Sequence, residues 1–421
     1  MTQSTPAING SNTRRSWLWG LLWMALLLFG AVGVWSRLVD GHHAANYGSY
    51  VTWGLWVAAY IYFIGLSAGA FLISSLVYGF GVKKLETIGK LALFTAAITL
   101  LMALVSILFD LGHMERFYYI FLYADFSSMM AWMVWLYTAY FLLVLAELWL
   151  ALRPDLVQLA EKEGLSGTVA RLLLLGRTEV SEENLKRERK WLRVLALSGI
   201  PLAIAFHGGV GALFGTVVAR PYWNIPLYPI LFLTGALVSG GALLLAVVAF
   251  FWPTRDQIFR DTIYFLNRIV LGLLAFDLLL EWAEYSIPMW YGIGPEYHLL
   301  QEVLFGEFWY VFWVFHIMLG SAIPIALLLA RPRARWAAAV AGLLVATTFL
   351  AVRLNIVIPG LIEPQLRGLA DAYTDARLTF SYVPSLMEWQ VVVFLVALAV
   401  ALFYLGLRFL PLVARPAAGT P

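Results

Sequence analysis

Residues 46–70 read NYGSYVTWGLWVAAYIYFIGLSAGA. The run opens in polar and aromatic residues, stays apolar for more than five helical turns and closes in small residues. That length spans a lipid bilayer as a helix. Trp53, Trp56, Tyr60 and Ser67 recur at helical spacing and are expected on one inward face. Gly65, Ser67, Ala68 and Gly69 would let a second helix approach closely.

The rest of the sequence repeats the pattern. Its 421 residues are 62% hydrophobic and only 13% charged, against about 25% charged in soluble domains. Ten apolar segments are predicted to span: 17–35, 51–80, 91–111, 127–151, 191–219, 227–252, 262–285, 302–330, 336–352 and 386–409. The fold class is an all-α polytopic membrane protein. Alternating strand patterns are absent. There is no cysteine, which excludes thiolate-held iron–sulfur clusters, disulfides and c-type haem attachment. A net charge of +3 without a basic tract gives no reason to expect nucleic acid.

Ten spans place both termini on one side. Of 28 Lys and Arg, 22 fall on that side and 6 on the other, counting Arg37 and Arg353 among the six. The excess predicts cytoplasmic termini in a cell (inner) membrane. The first segment follows Arg14-Arg15 and carries a weak cleavage-site match at Ala31-Val32-Gly33. It reads as an uncleaved anchor, with the two arginines as inside charges rather than a twin-arginine signal. The 152–190 loop, with SEENLKRERK at 181–190, reads as a solvated face.

Ionisable groups at membrane depth are costly, so each is a functional candidate. Asp110, His113, Glu115 and Arg116 close span 3. They read either as a hydrated interfacial cluster or as an acid/base pair at a proton-coupled site. His207 lies in a glycine-rich span, IPLAIAFHGGVGALFG at 200–215, and could bond a neighbouring helix or a ligand. Tyr60, Asp110 and His207 together would suit a quinone headgroup, which needs hydrogen bonds to two carbonyls and aromatic walls. Trp53, Trp56, Trp132 and Trp135 are candidate walls, although interfacial tryptophans are common. Asp277, Glu281 and Glu284 share one face of span 7, as a proton relay would. His316 and Glu147 are further relay candidates. Only His207 and His316 lie deep, on different spans, so a bis-His haem is not expected.

The run at 46–70, LFDLGHMERF at 108–117, HGGVGALFG with ARPYW at 207–223, and RLNIVIPG with YVPS before the last span resemble the NrfD / polysulfide-reductase membrane-subunit family. The likeness is to its longer ten-span branch, which includes the hydrogenase membrane subunit HybB. It implies an anchor helix and outer loop (1–50), two four-helix bundles (51–219 and 220–352), and an outer loop with a C-terminal helix (353–421). It implies no redox centre in this protein and a quinone, menaquinone or ubiquinone, in the first bundle near the outer face. A ferredoxin-like iron–sulfur subunit would dock there, with a further catalytic subunit such as a molybdopterin enzyme or hydrogenase beyond it. By this resemblance Tyr60, Asp110, His113, His207 and Trp132 contact quinone, with Asp110 and His207 exchanging protons. The family often has Arg and Pro after the DLG triplet, where this sequence has His113 and Met114.

The expected function is a quinone-reactive subunit of a respiratory oxidoreductase. His113 and Glu115 would connect the headgroup to outer water. Asp277 with Glu281, or Glu147 with His316, would lead protons towards the cytoplasm. The alternatives are a proton-coupled secondary transporter, whose inverted repeats and broken helices are not evident here, and a purely structural anchor.

Overall fold

The computed structural model describes residues 13–252, 256–366, 368–373, 375 and 377–413, with side chains from 17 onward. The side chains of Arg14 and Arg15, and Arg255, Arg367 and Arg415, all counted in the charge balance, lie outside the described residues.

Ten helices are long and apolar enough to cross a membrane. They are α1 Thr13–Asp40, α2 Leu55–Tyr78, α3 Gly89–Asp110, α4 Met129–Ala160 and α5 Glu182–Gly215. After them come α6 Tyr228–Phe251, α7 Gln257–Tyr291, α8 Val311–Ala330, α9 Arg335–Val357 and α10 Leu386–Phe409. No strand occurs among the described residues. The all-α polytopic architecture is therefore as the sequence predicts. The start of α1 and the end of α10 share one face, here the terminal face; the opposite one is the distal face.

Local signals set the helix ends. Ser181 accepts from the Asn184 amide at 3.1 Å, and Glu182 and Glu183 follow in the first turn of α5. The predicted solvated cluster at 181–190 is thus the start of α5, continuous with the span. Asp256 caps α7 through the Phe259 amide at 2.8 Å, and Gly292, at φ +66°, ends it. Span 8 differs from expectation. Residues 295–305 form a separate short helix that stops before Gly306, and α8 begins at Val311. From Val311 to Ala322 its turns are wide, with i→i+5 bonding.

Helix α2 is the centre of the molecule. Of its most apolar window 83% is buried, against 11% for α1. It packs most extensively on α3 and α6 and also touches α5 and α9. In lipid, helices associate through close packing rather than hydrophobic transfer. A methyl at Gly69 would meet the Gly240 Cα of α6 at 2.6 Å. The small-residue half of the opening run is this joint. On the flank α1 pairs with α10, which rests on α3.

The distal face is laced by its loops. Glu388, fully buried at the start of α10, accepts from the amides of Ser385 (2.9 Å) and Asn46 (3.1 Å) and from the Tyr382 hydroxyl. The Asn46 side chain donates to Val383 O at 2.8 Å, and Arg377 donates to His42 O at 2.8 Å. Nearby, ARPYW grips RLNIVIPG: the Tyr222 hydroxyl donates to Asn355 O (2.8 Å) and the Trp223 indole to Ile356 O (2.7 Å).

Candidate functional site

Helix α2 carries Tyr60 into the interior of the first four predicted bundle helices. Its ring packs edge-on against Tyr137 of α4, centroids 5.6 Å apart. Tyr137 packs on Phe206 of α5 at 4.3 Å, and Phe206 on His207 at 4.4 Å. Tyr140, one turn below Tyr137, closes on the same Phe206 at 5.3 Å. The Tyr137 hydroxyl is buried and has no hydrogen-bond partner in the protein. A buried phenol in that condition is a donor awaiting an acceptor.

His207 is deeply buried, and both ring nitrogens face backbone carbonyls: Nδ1 lies 2.8 Å from Ala203 O and Nε2 3.1 Å from Ile64 O. The second carbonyl belongs to α2, so the ring braces α5 against α2. A neutral imidazole donates to only one of two carbonyls, and neither nitrogen is left over for a third group. The contact between helices, one of the two readings of this histidine, is present.

Asp110 stands apart from that chamber, in a polar node at the distal ends of α1, α3 and α10. Arg37 donates to Phe109 O at 2.7 Å and Leu111 O at 2.6 Å, covering the carbonyls that end α3. The charges nearest Asp110 are Glu388 and Arg37. Its Oδ1 is buried without a partner. The Arg37 guanidinium sits 5.9 Å from the Trp56 ring, and Trp56 is one helical turn from Tyr60. Trp56 therefore separates the node from the chamber, and the expected trio is split in two. His42 also touches this wall, its ring 6.0 Å from Trp56. Burial, then the Arg37 charge, holds the His42 ring below its ordinary pKa.

His113, Glu115 and Arg116 form the hydrated cluster. His113 is 3.1 Å from Glu115, Arg116 is 3.7 Å from it, and all three side chains are more than half exposed. The Glu115 carboxyl is held below its usual range by its own backbone amide, with His113 adding to it. Trp132 is 49% exposed, and its indole donates to Phe126 O at 2.8 Å. It points away from the interior, an interfacial tryptophan rather than a wall. Trp53 precedes α2 and stacks on Trp223 at 5.5 Å, so it does not share a helical face with Trp56, Tyr60 and Ser67. The walls are instead Tyr137, Tyr140 and Phe206.

The relay candidates divide likewise. Asp277 accepts from Thr234 at 2.7 Å, and Glu281 lies 3.1 Å from His316 Nε2. Arg353 closes the group, its guanidinium 4.9 Å from the Phe232 ring and 5.2 Å from that of Phe349. Glu147 does not join His316. It is fully buried on α4, both carboxylate oxygens unpartnered, with Tyr78 of α2 among its neighbours.

The family model for polysulphide reductase, NrfD, matches residues 44–365. The chain belongs to the NrfD family. Among the curated relatives of this NrfD-family protein, the C subunit of selenate reductase from Mesobacillus selenatarsenatis is 38% identical over 395 residues, 92% of either sequence. The Hdr-like menaquinol oxidoreductase integral membrane subunit of Archaeoglobus fulgidus is 30% identical over 401 residues, 91% of either sequence. The C component of polysulfide reductase from Wolinella succinogenes is 26% identical over 289 residues, 67% of this protein and 84% of the relative. These names are those of reductase and oxidoreductase subunits, one of them an integral membrane subunit, and this NrfD-family protein is a membrane subunit of that class.

Sequence reading missed Tyr137, Tyr140, Arg37, Arg353 and Glu388. Tyr137 and Tyr140 look like two more aromatics in a run of them. Their spacing from Glu147, at i, i+3 and i+10, is the signal that marks one inward face of α4. Arg37 and Arg353 pass for loop charges when their spans are ended too early. Both lie inside helices and are buried.

Proposed function

We propose that this protein is the quinone-reactive membrane subunit of a multi-subunit reductase. It exchanges electrons between quinone and an iron–sulfur subunit docked on the distal face, with a catalytic subunit beyond. The observation that carries this reading is the cluster of aromatic rings among α2, α4 and α5, with the buried Tyr137 and Tyr140 hydroxyls lacking a partner in the protein. Asp110, on the far side of Trp56, also has an unpartnered oxygen. The phenol of Tyr137 fits one carbonyl of a quinone, with Tyr60, Phe206 and Tyr140 as aromatic walls. Asp110, parted from them by Trp56, serves proton exchange with the distal water rather than the headgroup. The relatives named for menaquinol and for reductases support the same class.

Quinone, when bound, supplies the exchange of two electrons with two protons. The protein's own residues do the rest. Tyr137 donates a hydrogen bond from a site that holds no competing acceptor. Asp110 holds or releases a proton between Arg37 and Glu388. His207 acts through α2 as a positioning residue: it fixes the height of Tyr60 relative to Tyr137. The excess of Lys and Arg on the terminal face supports a distal face turned outward.

The test is quinol-dependent turnover by the purified complex. Tyr137→Phe keeps the ring and removes the donor, and is expected to cost on the order of 10²-fold in rate. Asp110→Asn should slow turnover and flatten its pH profile. Unchanged rates for both variants in an intact complex, or a complex that purifies without quinone and does not turn it over, would overturn the proposal.

A further inference from the structure

The second bundle encloses a cavity that the quinone reading leaves unused. Its walls include Asp277, Glu281 and Glu284 of α7, His316 of α8 and Arg353 of α9, and its free volume of about 20 Å³ holds a water molecule. Two lining donors are buried without a hydrogen-bond partner in the protein, Arg353 Nε and Asn355 Nδ2, and Glu281 Oε2 has only the His316 ring beside it. The residues of the two donors are 2% and 7% exposed. Buried donors of this kind are matched by ordered water.

The charges do not balance without protons. Three carboxylates face one guanidinium and one imidazole. Even with His316 charged, one carboxyl must hold a proton for the cluster to be neutral, and an unbalanced buried charge is strongly unfavourable. The remaining titratable groups around it are phenols, Tyr222 from the α5–α6 connection, Tyr228 of α6 and Tyr285 of α7. Glu296 of the 295–305 helix stands at the rim, near Glu284.

The two sides of the cavity differ. Towards the distal face Tyr222 is a wall shared with an open pocket of about 200 Å³, lined by Arg220, Leu299, Glu363 and Gln365. One phenol ring, held by its bond to Asn355 O, separates the cavity from that pocket. Towards the terminal face the hydroxyls of Ser321 and Thr348 follow, each bonded to a carbonyl of its own helix. Beyond them Leu266, Val270, Leu328 and Val345 close the core, all at most 1% exposed. The next buried polar side chain of α7 is Asn267, ten residues from Asp277, or roughly 15 Å along the helix. Its amide nitrogen is committed to Leu328 O (3.0 Å) and Pro332 O (3.1 Å), and its Oδ1 is buried without a partner.

We propose that this cavity is a hydrated proton-binding site that exchanges with the distal aqueous phase past Tyr222 and is closed towards the terminal face. The carboxylates of α7 therefore form a one-sided site, not the through-going path that their spacing suggests. The ligand is a proton with its bound water. No bond other than O–H forms or breaks.

The protein has no cysteine, so single cysteines are unique labels within it. Glu284→Cys and Thr234→Cys, in the assembled complex in native membranes, are challenged with Ag⁺, a thiol reagent small enough for the site. Spheroplasts present one face and inverted vesicles the other, and Lys186→Cys identifies the terminal face. After denaturation, maleimide reports which thiols were blocked on this protein. Both cavity cysteines should be blocked only from the face opposite Lys186→Cys, and Val270→Cys from neither. Blocking from both faces at similar rates, or from neither, overturns the proposal. A second readout covers variants that fail to assemble. Infrared spectra of the unsubstituted complex should show a buried carboxyl band that titrates with pH and shifts in D₂O, and Asp277→Asn should diminish it. Absence of any such band also overturns the proposal. Neither readout involves quinone turnover, so loss of turnover with one-sided blocking intact would fail the quinone reading alone.

Discussion

At the scale of single residues, His207 and Tyr137 exchange the roles that their types suggest. Histidine is the usual proton carrier, but here its ring lies between two backbone carbonyls and donates to one of them. Tyr137 passes for ordinary packing, yet its hydroxyl, like that of Tyr140, is buried without a partner. His207→Phe should therefore lower thermal stability of the complex, by about 1–3 kcal/mol for the two lost contacts, while turnover per assembled complex falls little. Tyr137→Phe should do the reverse. Paired melting curves and turnover numbers decide between them, and a collapse of turnover in a stable His207→Phe complex would restore the histidine to proton exchange. Arg353 is the opposite case, a charge whose removal strands others. Arg353→Met should cost about 3–5 kcal/mol, because Asp277 and Glu281 lose their cation in the core. Adding Asp277→Asn to it should recover part of that loss in the same melting assay. Glu147, buried with both oxygens unpartnered, predicts a gain. Glu147→Gln should raise the melting temperature at high pH, where the carboxyl would ionise without a partner, and change it little where the carboxyl holds its proton.

Helices and loops carry the next level. Gly69 and Gly240 bring α2 and α6 into backbone contact, so Gly69→Val should force the helices apart and cost about 1–3 kcal/mol or more. The same change at Gly20, with nothing near its Cβ, should be silent in the same assay. This joint was legible in the sequence, because close packing in lipid selects small residues at i, i+4. The distal lacing was not. Glu388 completes the cap of α10 with Ser385, and that is half of its role: it also holds the Asn46 amide, 342 positions away. Such partners are set by the path of the backbone, which local pattern does not encode. The lacing has a pH signature through His42. Burial and the Arg37 charge depress its pKa, so the unfolded loop binds the proton more readily than the folded one. Stability is then full above about pH 6.5, the free histidine value, and falls as pH drops below it. Protection factors for amide exchange across residues 41–54, measured against the intrinsic rate at each pH, should fall between pH 7 and pH 5, and His42→Gln should remove the dependence.

For the whole molecule, ten spans and the fold class were readable because bilayer thickness fixes helix length, whatever the helices touch. The division of labour between the two halves was not. Asp110, His207 and Tyr60 look like one site on a list of deep polar residues, and Trp56 parts them. Glu147 and His316 look like one relay, and α2 and α6 stand between their bundles. Sidedness belongs to this scale as well. Arg37 and Arg353 drop out of the loop balance because they are buried, so the bias of Lys and Arg towards the terminal face is sharper than the raw count. That bias sets orientation during insertion. Lys186→Cys, on the helical extension of α5, should react with a membrane-impermeant maleimide only in inverted vesicles. Tyr373→Cys, exposed in the distal loop, should react only in spheroplasts that lack the partner subunits. The reverse pattern would turn the distal face inward. The Tyr137 chamber, the docked iron–sulfur subunit and the cavity behind Tyr222 would then all address the cytoplasm, and quinone protons would be exchanged on that side instead.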